Sequence, residues 1–376
     1  LKNKRIIIVA NTTWNIYNFR LNIIRKLIEQ GNHVIVVAPV DEYIEYKEQF
    51  PEVKHIPLKQ LSREKNNPIQ DIRLLFELRY IYKKLKPDLV IHYTHKPNIY
   101  GGLAAKMTDS RSVAVVTGLG YAFINNGLLS RLTSRLYKYT SRFHSKTIFE
   151  NEDDLDFFIS ESLIKKEKGI AINGCGVDTE VFIPFPNGQV KEKLIFTFIG
   201  RLLYDKGIVE YVEAAKKLSD GNRKIEFWVI GELDGGNPSM VEKSKLLQWI
   251  DDGYIIYHGF VKDVRPLIAK SDCIVLPSYR EGMPRIILEG MSMAKPVITT
   301  NTAGCRQTVI DGKNGFLVEV KDSKDLSSAM QKVYNLSYDE RHQMGLEGRR
   351  LAVEKFNSQI IAQKLYNILS TVSRDN

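Results

Sequence analysis

An alternation of short apolar runs with amphipathic helical stretches, made twice over, constrains this chain more than any other feature. RIIIVA is followed by helical periodicity from Phe19 to Gln30, then by HVIVVAP, a second helical stretch from Asp71 to Lys84, LVIHY and VAVVTG. Runs of this kind between helices predict βαβ units and a parallel sheet. The pattern breaks at INGCGVDTEVFIPFPNGQ, where Gly174, Gly176, Pro184, Pro186 and Gly188 cluster as turn formers. It then restarts with LIFTFIG, a helix from Gly207 to Leu218, IEFWVIG, YIIYHGF, CIVLP, a helix opening near Met283, PVITT and GFLVE. The expected fold is α/β, with two Rossmann-like doubly wound domains facing a central cleft, since open α/β sheets bind ligands outside the carboxyl ends of their strands. The domains are placed at residues 1–175 and 190–355. Arg341 to Ser370 reads as helix with a break at Phe356 and Asn357, and residues 356–376 are expected to pack back toward the N-terminal domain.

Length agrees, because 376 residues exceed what one core usually organises. Cys175, Cys273 and Cys305 are odd in number and lack metal-ligand spacing, which fits a reducing, cytoplasmic compartment. The start, LKNKRIIIVA, is too short in its apolar part for a signal sequence and reads as a first buried strand. The uncharged stretch from Ser112 to Ser130 approaches membrane-span length, but Gly118, Gly120, Asn125, Asn126 and Gly127 interrupt it. Net charge is +10, and the excess is local: residues 1–150 hold 24 Lys+Arg against 12 Asp+Glu, the remainder 30 against 32. A field confined to one domain favours an anionic partner there, or is a solvated lysine-rich surface.

The loops after the strands exclude several chemistries. NTTWNIYNFR, after the first strand, has no glycine, so the dinucleotide fingerprint is missing where it would act, and no P-loop sequence occurs. Asp154 and Asp156 form a D-x-D in an acid-rich helix start, where carboxylates complement the helix dipole. The second domain offers more. Gly200 to Gly207 places Arg201 and Lys206 between a strand end and a helix, as a diphosphate clamp would require, with a bidentate guanidinium and a compact ammonium. CIVLPSYREGMPRIILEGMSMAKPVI ends a strand and opens a helix at Glu281, Gly282, Met283 and Pro284, exposing backbone N–H groups to an anion. Glu281 falls in the loop and Glu289 about two turns into the helix; as acceptors both suit sugar or ribose hydroxyls.

G-R-L-x-x-x-K-G followed by E-G-M-P and the E-x7-E pair resembles family 4 of the retaining GT-B glycosyltransferases, over nearly the whole chain. INGCGVDTEVF looks like that family's interdomain segment, and YHGFVKDV with SDCIVLPSYREG is similar to its donor-site run. The resemblance implies that Arg201 and Lys206 hold the donor diphosphate, Glu281 contacts the transferred sugar, Glu289 the ribose, and Phe260 and Val261 flank the base. IYNFR, HKPNIYGGLAAK and TGLGYAF look closest to bacterial capsule, lipopolysaccharide and N-glycan assembly transferases, with Asn18, Arg20 and His95 as acceptor-side candidates. Many relatives carry a functional His where this chain reads Val116-Thr117-Gly118-Leu119-Gly120, so no role transfers to that place.

What the family implies is transfer of an N-acetylhexosamine or hexose from a UDP-sugar to a lipid-linked or saccharide acceptor, undecaprenyl-diphosphate-linked in surface glycan assembly, without cofactor or metal. Retention would follow from front-face substitution, the leaving diphosphate helping to deprotonate the acceptor hydroxyl while cations stabilise its growing charge. Domain closure would exclude water. SRLTSRLYKYTSRFHSK adds an amphipathic helix: Leu129, Leu132, Leu136, Tyr139 and Phe143 share one face beside Arg131, Arg135, Lys138, Arg142 and Lys146. That pairing fits an interfacial helix on anionic lipid, hence a protein peripheral on the cytoplasmic face of the inner membrane, or a core helix with a solvated flank. Aromatic interleaving of the kind that binds single-stranded nucleic acid is not evident, and no nucleic-acid partner is expected. Two rivals are a sugar-nucleotide epimerase of the same fold, which would convert donor without acceptor, and a non-enzymatic nucleotide-sugar or nucleic-acid binding protein.

Overall fold

The apolar runs are strands, and they assemble into two separate parallel sheets. In the computed structural model, which describes residues 1–61, 67–119, 128–185, 192–219 and 224–374, the chain divides into two units. Unit 1 is Leu1–Cys175 with Ser358–Asn376, and unit 2 is Gly176–Asn357. Part of the uncharged stretch, from Gly120 to Gly127, lies outside the described residues, as do Pro186 and Gly188 of the turn-forming cluster.

Unit 1 contains β1 (Arg5–Val9), β2 (His33–Ala38), β3 (Lys54–Pro57), β4 (Leu89–Tyr93), β5 (Ser112–Val116), β6 (Lys146–Phe149) and β7 (Gly169–Ala171), in the order β3-β2-β1-β4-β5-β6-β7. All neighbours are parallel. Successive strand residues alternate between two layers, as the pleat demands. Ile6, Ile8, Val34, Val36 and Ile91 pack with Ile23, Ile24 and Leu27 of the Leu21–Glu29 helix and with Ile361, Leu365 and Leu369 of the Ser358–Arg374 helix. Ile7, Val9, Ile35 and Val90 face the other way, onto Leu74, Leu78 and Tyr82 of the Pro68–Leu85 helix. Because both faces are covered, the strands read as continuous apolar runs. The helix expected from Phe19 to Gln30 is Leu21–Glu29, and a further helix, Thr13–Phe19, precedes it, separated at Arg20, whose φ of −121° and ψ of −4° leave helical geometry.

A polar layer underlies the Pro97–Lys106 segment. The His92 ring and the Tyr82 hydroxyl share a hydrogen bond of 2.9 Å, and His144 bridges the Ser112 hydroxyl and the Asn98 carbonyl. A Cβ added at Gly101 would lie 2.3 Å from the His92 ring, and one at Gly102 2.6 Å from His144. The paired glycines of HKPNIYGGLAAK thus let the segment settle onto two imidazoles.

Unit 2 contains β8 (Leu194–Ile199), β9 (Ile225–Ile230), β10 (Ile256–Tyr257), β11 (Cys273–Leu276), β12 (Val297–Thr300) and β13 (Gly315–Val318), in the order β10-β9-β8-β11-β12-β13, again all parallel. The segment after Gly176 is tied into this unit: Val177 N–H donates to the Phe356 carbonyl at 2.8 Å, and Arg349 donates to the carbonyls of Thr179, Phe182 and Ser292. The expected break at Phe356 and Asn357 separates the helices Tyr338–Lys355 and Ser358–Arg374.

Both orders reverse direction beside the first strand of the unit. The switch points therefore fall between β1 and β4 in unit 1 and between β8 and β11 in unit 2, where ligands bind in sheets of this kind.

Candidate active site

In unit 2, β8 delivers Gly200 to Gly207 and β11 delivers Pro277 to Pro284 to the same edge. The two loops are joined by backbone. Tyr279 N–H donates to the Asp205 carbonyl at 2.9 Å, and the Ser278 hydroxyl donates to the same oxygen at 3.1 Å. Gly207 sits in the left-handed region at φ +73°, and a Cβ there would lie 2.0 Å from the Pro277 carbonyl oxygen. Only glycine combines that conformation with that approach. Gly304, at φ +76°, makes a similar contact below Glu281 and Gly282, where its Cβ would lie 2.5 Å from either carbonyl oxygen. Three loops are thus held at glycine distance.

This packing brings Lys206 and Glu281, 75 residues apart, into an ion pair with Nζ 2.5 Å from Oε1. Arg201 pairs with Asp234 at 2.5 Å, and Arg285 with Glu289 at 2.8 Å across one helical turn. Glu289 is buried, and loss of water raises its carboxyl pKa against the opposing pull of Arg285. The helix expected to open near Met283 begins at Arg285. Pro284 is its N-cap and provides no side-chain cap, and Ile287 N–H donates to the Pro284 carbonyl at 3.1 Å. Gly282 and Pro284 are buried, while Met283 and Val261 are half-buried against the core and Phe260 is exposed. Cys305 lies beneath, where burial pushes its thiol up to about 12, so it is packing and not a nucleophile at neutral pH.

Two carboxylates here escape motif reasoning. Glu210 is buried and accepts from the Tyr279 hydroxyl at 2.7 Å, and Asp234 takes one arm of Arg201. Neither belongs to a run with a recognisable spacing, and only the sheet order brings them to this edge.

In unit 1 the corresponding edge carries Arg20, buried and paired with Glu150 at 3.3 Å. Its Nε donates to Asn15 at 3.2 Å, and its guanidinium lies 4.0 Å from the Tyr93 ring centroid. Glu150 was not a candidate from sequence, yet it is the counter-charge that lets Arg20 be buried; burial raises its pKa while Arg20 lowers it. Asn18 donates to the Trp14 carbonyl within its own helix. His95 follows β4, with Nδ1 3.0 Å from the Tyr137 hydroxyl, and burial pushes its imidazole down to about 4. A ring that is neutral at neutral pH offers hydrogen bonds and no charge to a phosphate. Buried oxygens of Asn11, Tyr93 and Thr94 lie on this edge without a hydrogen-bond partner among the described residues.

On the Leu128–Thr140 helix the expected apolar face is divided: Leu132 and Tyr139 are exposed, as on an interfacial helix, Leu136 is half-buried against a core cluster, the Leu129 side chain lies outside the described residues, and the buried Tyr137 and Thr140 seat the helix. Tyr137 packs edge-on against Phe158 and its hydroxyl accepts from Asn98 at 3.2 Å. A partly polar seat of this kind is invisible to hydrophobic periodicity. Arg131, Arg135 and Lys138, with Phe157, Glu161 and Leu163, line a groove of about 410 Å³; Arg142 is exposed and Lys146 donates to the Glu167 carbonyl. Asp154 of the D-x-D is buried and engaged by Asn151 at the N-cap of the Glu152–Ser160 helix.

The sequence model of the family described as glycosyl transferases group 1 matches residues 180–351, and that of the glycosyl transferase 4-like domain matches residues 5–151. An Escherichia coli UDP-Gal:α-D-GlcNAc-diphosphoundecaprenol α-1,3-galactosyltransferase is 30% identical, covering 70% of this chain and 71% of that protein. The chain belongs to the group 1 glycosyltransferases. This glycosyltransferase is also 29% identical, over 99% of its length and 100% of the other's, to a Campylobacter jejuni N,N'-diacetylbacillosaminyl-diphospho-undecaprenol α-1,3-N-acetylgalactosaminyltransferase. Its fold is GT-B: the Anabaena protein HepE, solved with UDP and glucose, superposes with a TM-score of 0.81 at 18% identity, covering 98% of this chain and 100% of that one. Both matched family descriptions are of transferases, and the epimerase alternative has no support among them. Among the described residues of this glycosyltransferase, no helix is long and apolar enough to cross a membrane.

Proposed function

We propose that this glycosyltransferase moves an N-acetylhexosamine or hexose, with retention, from a UDP-sugar to an undecaprenyl-diphosphate-linked acceptor in bacterial surface glycan assembly. The observation that carries the reading is the arrangement at the β8/β11 edge, where Lys206 pairs with Glu281 and Arg201, paired with Asp234, opens the same β8 loop, the loops being stitched through Asp205 and Gly207. Acceptor class is supported by the two curated relatives, whose names both include an undecaprenol diphosphate and an α-1,3 linkage.

In this reading the anomeric carbon–oxygen bond to the diphosphate breaks, and the acceptor oxygen bonds to the same face of the sugar. The acceptor proton passes to a diphosphate oxygen. Arg201, Lys206 and the N-terminus of the Arg285–Ser292 helix stabilise the charge that develops on the leaving group, which is catalysis by preorganised electrostatics. Glu281 contacts the sugar hydroxyls, Glu289 the ribose, and the backbone near Phe260 and Val261 the base. Two cations and a helix terminus supply the countercharge in place of a divalent ion, so no metal is required. Unit 1 receives the acceptor at the edge of Arg20 and His95, and the groove of Arg131, Arg135 and Lys138 takes phosphates of an anionic leaflet, placing the protein peripherally on the cytoplasmic face.

Calorimetric titration with UDP-, GDP- and dTDP-sugars, with and without EDTA, tests the donor site. UDP-sugar binding that is indifferent to EDTA and weakened by Arg201→Ala and Lys206→Ala is expected. Affinity unchanged in both variants would sink the clamp.

A further inference from the structure

Neither edge uses the outer face of the Pro68–Leu85 helix. Its inner face, with Leu74, Leu78, Ile81 and Tyr82, is buried against the sheet. A surface helix needs one apolar stripe. This one carries a second: Ile69, Ile72, Phe76 and Tyr80 follow one another at helical spacing, and each is between 54% and 64% exposed. Four large side chains in line over three turns form a contiguous patch of the kind that marks an interaction surface.

Charge decides what covers it. The two acidic residues of the helix are both engaged by the protein. Asp71 pairs with Lys96 at 2.9 Å and accepts from the Tyr100 hydroxyl, and Glu77 accepts from the backbone amides of Lys59 and Gln60. Exposed Arg73, Lys83 and Lys84 flank the stripe, and the Lys84 ammonium lies 5.9 Å from the Tyr80 ring centroid. On the same face of the sheet the Leu128–Thr140 helix packs on the Pro97–Gly101 segment that also borders the Pro68–Leu85 helix, and it exposes Leu132 and Tyr139 among its own cations. A second copy laid on the stripe by a twofold axis would oppose like charges, which disfavours pairing. An anionic bilayer meets both requirements, with acyl chains for the stripe and phosphates for its flanks.

We propose that the outer face of the Pro68–Leu85 helix lies in the interface of an anionic membrane, with Ile72 and Phe76 among the acyl chains and Lys83 and Lys84 at the phosphates. The inference rests on the reading that unit 1 works at a lipid surface and names the element that inserts.

Co-sedimentation of the full chain with phosphatidylcholine vesicles, with and without phosphatidylglycerol, tests it. The Ile72→Ser/Phe76→Ser variant removes apolar contact without adding charge, and Arg131→Gln/Arg135→Gln/Lys138→Gln removes charge alone. The serine variant is expected to bind anionic vesicles on the order of 30-fold more weakly and to lose the part of binding that survives high salt. The glutamine variant is expected to lose the salt-sensitive part. Because both replaced apolar residues are exposed, the thermal midpoint should hold, and Phe76→Trp should keep binding with a blue-shifted emission. Equal binding by wild type and the serine variant overturns this inference and leaves the membrane reading standing. Wild type that binds no vesicle overturns both. A wild-type dimer that the serine variant dissolves would assign the stripe to a second copy and overturn the inference.

Discussion

Gly207→Ala separates a local backbone cost from a packing cost at the loop proposed to hold the donor diphosphate. At φ +73°, any residue with a Cβ loses about 1 kcal/mol or more to left-handed sterics. The new carbon would also lie 2.0 Å from the Pro277 carbonyl oxygen, so one of the two loops must move by more than 1 Å, an overpacking cost of about 1 to 3 kcal/mol. Movement is not free, because Asp205, two residues earlier, holds both Ser278 and Tyr279. The sum is about 2 to 4 kcal/mol in unit 2, together with displacement of Lys206 from Glu281. Gly253→Ala is the control: φ is +74° there, but nothing lies within 4 Å of the new Cβ, so only the first cost applies. Urea unfolding of both variants measures the difference, and UDP calorimetry reads the displaced site. Gly207→Ala is expected to be destabilised more than Gly253→Ala and to lose UDP affinity by about tenfold or more, the equivalent of about 1.4 kcal/mol. If the two variants unfold alike and UDP binds both as it binds wild type, the loops are not locked in the way described.

Glu150→Gln leaves the buried Arg20 guanidinium without its counter-charge and should cost about 3 to 5 kcal/mol in thermal or urea unfolding, with Arg20→Met/Glu150→Gln recovering part of the loss; a single variant within about 1 kcal/mol of wild type would show the pair to be unimportant. Burial pushes His144 down to about 4 and lowers His92 as well, whereas both take up protons near 6.5 when unfolded. Their contribution to unit 1 is therefore intact above pH 6.5 and lost as pH falls toward 4, so His144 alone should cost about 2 kcal/mol at pH 5 relative to pH 7.5, and urea midpoints that do not fall over that range would contradict the assignment. Asp234→Asn should free Arg201 for the donor and tighten UDP binding several-fold by calorimetry; weaker binding would mean that Asp234 orients Arg201 instead.

Most of the architecture is legible because burial on both faces turns parallel strands into apolar runs, and LVIHY and LIFTFI show it plainly: every residue of β4 and β8 is buried. Glycine and proline between them locate the turns. The residues proposed for the donor side stand in short linear motifs, so Arg201, Lys206, Glu281 and Glu289 can be picked out as candidates without a structure. Their partners cannot. Asp234 and Glu150 reach their arginines only through strand order, 33 and 130 residues away along the chain. The second stripe of the Pro68–Leu85 helix and the partly polar seat of the Leu128–Thr140 helix escape for another reason. Periodicity reports where apolar residues fall around a helix, whereas burial depends on what packs against it. A buried tyrosine hydroxyl seats the Leu128–Thr140 helix, and the second stripe of the other is left exposed.

Retention in transfer from a UDP-sugar to a lipid-diphosphate acceptor can be read from the product itself. The full chain is incubated with UDP-sugars and a short-prenyl-diphosphate-linked saccharide, and the anomeric coupling of the product is measured by proton NMR. A new glycosidic bond with the donor's own anomeric configuration is expected, formed only when acceptor is present and undiminished by EDTA. Inverted configuration would contradict the proposed front-face path, and conversion of the donor to its epimer without acceptor would contradict the transfer itself.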